Sequence, residues 1–203
     1  MSESTLEQAP PVSASAPETS ESPPAPQPWT LRLFMRQHPW WSVSIAVGML
    51  SVVVVYWAGT RPGFDPYGWL VWGQQTLHGS LDTNAAPSWK PLSYIFTVPY
   101  ALAGHRLELR LWMITAVAVS LSGVVFAARI AYKLTDAPPQ RRWAATLAGA
   151  FAGLAVLGLQ DYAHYVLSSQ SDPMIVSLCL GAIDCHLYKR YRAAFVLGAL
   201  AAL

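Results

Sequence analysis

The chain has 203 residues, 53% hydrophobic and only 12% charged, with nine Trp, two Cys and a net charge of +2. A soluble domain ordinarily carries about 25% charged residues, so much of this chain belongs where charge is costly, and lipid is the expected surrounding. The apolar content excludes disorder throughout, and two cysteines in one apolar run, Cys179 and Cys185, exclude a disulfide scaffold.

Residues 1–28 hold seven of the sixteen prolines among Ser, Glu, Ala and Gln, a composition that buries too little apolar surface to order itself. They read as a disordered tail without the basic start and apolar core of a signal peptide, so the amino terminus is expected on the cytoplasmic side. A basic, aromatic junction follows, with Trp29, Arg32, Arg36, Trp40 and Trp41, as expected at a headgroup boundary.

Four segments then run nearly a membrane thickness with almost no charge: 42–60, 111–128, 143–160 and 173–188, the last interrupted by Asp184. The segment 91–104, with Pro91 at its start and Pro99 inside, suits an interfacial helix better than a crossing. Cation placement supports that choice. If 91–104 stays on one side, Arg32, Arg36, Arg129, Lys133, Arg141, Arg142, Lys189, Arg190 and Arg192 all face the tail's side, nine of the thirteen Lys and Arg. The expected fold is an all-α polytopic membrane bundle, with Asp65 and Asp172 emerging on one extracytoplasmic face. A further apolar run, 193–203, is too short to cross, so the chain is expected to be the amino-terminal part of a longer polytopic protein.

Asp65 before Pro66 has the form of a helix N-cap, and Gly79 suits the far end of a helix over 66–78. Tyr67, Leu70, Val71 and Gln74 would share one side of it, while Trp69, Trp72 and Trp89 would anchor it at the membrane interface. Ser171-Asp172-Pro173 repeats the device where the fourth apolar run begins. Both aspartates could therefore serve only as caps. Lys90 could be an interface cation binding headgroups, and Arg110 a boundary marker. Asp184, about one turn from Lys189–Arg192, is expected to reach that cluster, although an acid within a span is a functional candidate by default. The small residues Ala148, Gly149, Ala152 and Gly153 are expected to allow close helix packing.

The order Phe64-Asp65-Pro66-Tyr67, Gly79-Ser80-Leu81-Asp82, Trp89-Lys90-Pro91-Leu92, an aromatic segment and Arg110-Leu111 before a span resembles the start of the lipid-dependent GT-C glycosyltransferases, closest to the aminoarabinose-transferase and protein-mannosyltransferase type. Ser171-Asp172-Pro173 matches the acidic residue that opens a later lumenal-side helix in that family. Two departures are visible: Asp65 is followed by Pro rather than the frequent Glu, and Lys90 by one Pro rather than two. The resemblance implies a GT-C-like bundle in a plasma (inner) membrane that moves a sugar from a polyprenyl-phosphate donor to an acceptor hydroxyl on the extracytoplasmic face.

In that scheme Asp65 is the base that takes the hydroxyl proton and Asp172 orients the acceptor or the base. Lys90, with Arg110 second, meets the charge growing on the leaving phosphate. Tyr67 and Trp89 are further substrate-binding candidates. No cofactor is implied. A divalent metal on Asp65, Asp172 and one of the scattered histidines has no ligand spacing behind it. Membrane lipids and the lipid-linked donor are the expected partners. Nucleic acid is not, because the cations follow loop sidedness rather than a stripe. The competing reading is a non-catalytic polytopic module or transporter part whose aspartates cap helices or handle protons.

Overall fold

The structure, a computed structural model, describes residues 39–84, 87–135 and 137–203; the tail over 1–28 and Arg32 and Arg36 lie outside them. Among the described residues every regular element is a helix: α1 (Pro39–Trp57), α2 (Phe64–Leu77), α3 (Pro91–Ala101), α4 (His105–Thr135), a 3-10 turn (Pro139–Arg141), α5 (Arg142–Leu157), α6 (Tyr162–Leu167), α7 (Asp172–Leu187) and α8 (Tyr191–Ala201).

Two of these are long and apolar enough to cross a membrane. α1 has 19 residues and α4 has 31, giving lengths of about 28 Å and 46 Å against a hydrocarbon core of about 30 Å. α5 and α7, expected as crossings over 143–160 and 173–188, have 16 residues each, or about 24 Å. α5 stops early because Gly158 closes its last turn and Asp161 then takes a left-handed φ of 59°. That break turns the chain into α6, a short helix between the two apolar runs 143–160 and 173–188.

α4 is the central element, packed against α1, α5 and α7, while α2 lies on α3 and α7 on α8. The α4–α5 crossing depends on the small residues singled out above: a Cβ added at Gly149 would stand 2.8 Å from the Ala128 carbonyl oxygen. Any larger residue there would push the helices apart. Polar stitches fasten the α6 region to the same scaffold. The Tyr162 hydroxyl donates to the Ser120 carbonyl at 2.9 Å, Ser177 Oγ donates to that same oxygen at 2.9 Å, and the Trp112 indole donates to the Ser169 carbonyl at 3.2 Å. Burial pushes the Tyr162 phenol above its ordinary value, which keeps it protonated as the donor.

One apolar cluster joins Trp69, Leu70, Trp72 and Leu92 of α2 and α3 to Trp112, Ala116, Met174 and Leu178 of α4 and α7. At its centre the fully buried Trp69 and Trp112 meet edge to face, with ring centroids 5.7 Å apart. Such pairs add about 0.5–1.5 kcal/mol beyond their burial. This corrects the expectation for Trp69 and Trp72: both are core residues that fasten α2 down, and Trp89 alone of the three stays half exposed. Gly73 lets α2 approach α3, since a Cβ there would come within 2.7 Å of the Thr97 carbonyl oxygen.

Candidate functional site

The first connection (58–63) and the one before α7 (168–171) meet at one end of the bundle. Gly63 N–H donates to the Ser168 carbonyl at 2.9 Å, and the Gln170 side chain packs against Gly63. This meeting brings the starts of α2, α3 and α7 to one place, and those starts carry Asp65, Lys90 and Asp172 respectively.

Neither aspartate is the cap that its proline neighbour suggested. Gly63, in an extended conformation, precedes α2, so Asp65 is the second helical residue; Ser171 precedes α7, so Asp172 is the first. Among the described residues neither carboxylate accepts a backbone N–H. Asp172 instead accepts two bonds from Lys90 Nζ, at 3.0 and 3.2 Å, across 82 residues of sequence. Asp65 accepts from Ser88 Oγ at 3.4 Å and has no ion pair among the described residues.

The stretch joining these contacts is held from below. The Trp69 indole donates to the Ser88 carbonyl at 3.0 Å, and Lys90 Nζ stands 5.7 Å over the Trp69 ring. A buried tryptophan thus positions the two residues that reach the two aspartates. Trp89, between them in sequence, has its ring 5.4 Å from Trp72 and 5.3 Å from Tyr94, beside Lys90 and half exposed.

Around this pair the chain leaves polar capacity unspent. Ser93, Ser169 and Ser171 are fully buried, and their hydroxyls have no hydrogen-bond partner among the described residues. Buried polar groups nearly always have a partner, so three orphans close in sequence to Lys90 and Asp172 need a reason. The ion pair itself is open: the Lys90 side chain is 24% and the Asp172 side chain 57% exposed. Water screening makes such a pair weak, so the lysine can leave it for another anion.

Two other candidates make their contacts with residues outside this trio. Tyr67 lines a cavity of about 450 Å³ with Leu70, Gln74, His78 and Glu108, on the side of α2 turned away from Asp65. The Arg110 guanidinium lies 5.9 Å from the Tyr56 ring at the end of α1, an exposed boundary position. Ser88 and Glu108 escaped the sequence reading. Glu108 is 4% exposed, accepts a hydrogen bond from the Gln74 amide and stands 3.6 Å from His105. Its spacing of three from His105 in the first turn of α4 was the available signal. Asp184 also departs from expectation: its partner is Arg129 of α4, at 3.2 and 3.3 Å, rather than the Lys189–Arg192 cluster. Among the described residues no three His, Cys, Asp or Glu side chains form a set that could hold a metal ion.

No family model, curated protein or solved structure matches the chain.

Proposed function

We propose that the chain is part of a polytopic membrane glycosyltransferase that moves a sugar from a polyprenyl-phosphate donor to an acceptor hydroxyl on the extracytoplasmic face. One observation carries the reading: Lys90 pairs with Asp172 at the same end of the bundle where Ser88, two residues earlier, makes a long 3.4 Å contact with Asp65. A cation able to change partners therefore lies two residues from the serine that contacts Asp65, a carboxylate with no ion pair among the described residues. That is the pairing glycosyl transfer from a phosphate requires.

In the proposed reaction the acceptor oxygen forms a bond to the anomeric carbon as the carbon–oxygen bond to phosphate breaks, and the bonding pair leaves on the phosphate. Asp65 takes the acceptor's proton. Lys90 moves from Asp172 to the phosphate oxygens, where its charge counts for more as theirs grows. Asp172 holds the lysine in position before that exchange and the acceptor afterwards. Trp89, a half-exposed ring beside Lys90, offers a flat apolar face to the sugar or to the first isoprene units. α1 and α4 supply full-length crossings, and the shorter α5 and α7 cross against α4 in a bundle of the GT-C kind. Arg110 is released from the site in this reading.

The test is transfer from a radiolabelled polyprenyl-phosphate sugar by membranes containing the protein. Transfer by wild type that Asp65→Asn and Lys90→Ala both abolish supports the reading. Unchanged turnover in both variants overturns the site, and the absence of transfer from any such donor leaves the transporter or module reading in its place.

A further inference from the structure

The end of α4 remote from Lys90 carries a second arrangement. Asp172 opens α7 and Asp184 comes twelve positions later, about 18 Å along the helix axis. There the Arg129–Asp184 pair lies against two rings: the guanidinium is 4.0 Å from the Trp40 centroid and 4.7 Å from that of Tyr188. Two further cations border the same rings, Arg190 at 5.7 Å from Trp40 and Lys133 at 5.7 Å from Tyr188. Neither has an ion pair among the described residues, where three cations stand near one carboxylate; Asp136, three positions after Lys133, lies outside them.

From Trp40 an apolar groove of about 260 Å³ runs between α1 and α4, lined by Val43, Val47, Val119, Val125 and Phe126. Trp40 belongs to both features, with its ring 6.5 Å from Phe126. A groove of aliphatic side chains on a helix long enough to cross a membrane, with two cations near its mouth that have no ion pair among the described residues, is complementary to an amphiphile with an anionic head.

We propose that this end of the bundle binds one anionic phospholipid, its phosphate on Arg190 and Lys133 beside the Trp40–Arg129 stack and one acyl chain in the α1–α4 groove. The inference rests on the membrane reading above but not on glycosyl transfer. Charge selects the occupant. A zwitterionic head would bring its own cation against Arg190, and a second copy of the chain would have to bring an acidic surface, whereas an anionic phosphodiester pairs with Arg190 and Lys133. The polyprenyl-phosphate donor belongs at the opposite end, where Lys90 stands.

The test is native mass spectrometry of the detergent-purified protein after equilibration with phosphatidylglycerol or phosphatidylcholine of matched chains. The expected result is one retained phosphatidylglycerol, little phosphatidylcholine, and roughly fivefold lower occupancy in Arg190→Gln, the weight of one cation against an anionic head. Arg190 is exposed, so that variant should fold. Arg192→Gln, an equally exposed cation outside the ring stack, should retain lipid as wild type does. Equal retention of both lipids, equal loss in the two variants, glycerol phosphate bound as well as the lipid, displacement by polyprenyl phosphate, or a dimer in place of the lipid adduct would each overturn the proposal. Retention of neither lipid would overturn the proposal and leave the membrane reading, which rests on the length and composition of α1 and α4, untouched.

Discussion

α7 carries an acidic residue near each end, and each meets a cation from a distant part of the chain, yet the two pairs are built for different work. Asp172 is 57% exposed and its partner Lys90 rests on a single ring. Asp184 is 1% exposed, and its partner Arg129 is held between two rings, Trp40 and Tyr188. An ion pair in water contributes at most about 1 kcal/mol, so it can part at little cost when a better anion arrives. The second pair parts only at a large cost: Arg129, 33% exposed, keeps some water, but Asp184 would stay buried without water or partner. Exposure of the carboxylate, more than the presence of an ion pair, separates the two ends.

Mutations should split along that line. The largest effect is expected in catalysis at the open end: Asp65→Asn should lower transfer by about 10²- to 10⁴-fold, the usual weight of a general base, measured as initial rates in membranes of matched protein content. Lys90→Ala should cost about 10²- to 10³-fold in rate while moving stability by no more than about 1 kcal/mol. A Lys90→Ala protein that unfolds in milder denaturant would show the pair to be structural and erase the contrast. At the closed end the signs reverse. Arg129→Met should destabilise by about 3–5 kcal/mol, and Arg129→Met with Asp184→Leu should recover most of the loss, both read from thermal unfolding in detergent. Gly73→Ala sharpens the comparison from the scaffold side: by pressing α2 off α3 it should cost about 1–3 kcal/mol and lower transfer without touching a site residue. The smallest effect is assigned to Arg110→Ala, within about 0.5 kcal/mol in stability and unchanged in rate. A tenfold loss of transfer there would return Arg110 to the site.

Much of the helix pattern was legible because its physical cause is local. Charge-free runs mark α1, α4, α5 and α7, and Pro91 marks the start of α3. Boundaries were less so. A carboxylate followed by proline reads as a cap, but one residue of extended backbone at Gly63 and a Ser at 171 shift both aspartates inside their helices. Trp69 and Trp72 show the limit of composition: an interface anchor and a core residue are the same residue type, and only the packing of α2 over Trp112 separates them.

Sidedness, read from the cations, put Asp65 and Asp172 on one face, but it could not say which residue each would touch. Lys90 reaches Asp172 across 82 positions and Arg129 reaches Asp184 across 55. The second pairing follows from how α4 and α7 cross and the first from where the start of α3 meets that of α7, both properties of the whole bundle. Ser88 was invisible for the same reason. Its role comes from the Trp69 indole that holds its carbonyl, so the signal lay nineteen residues away.

The direct measurement is cross-linking between positions 90 and 172. Lys90→Cys with Asp172→Cys, in a background of Cys179→Ala and Cys185→Ala, should join rapidly under mild oxidant in intact cells, and each cysteine alone should react with a membrane-impermeant maleimide. Absence of the cross-link, with both cysteines labelled, would mean that the two loops do not meet and that Asp65, Lys90 and Asp172 share no site.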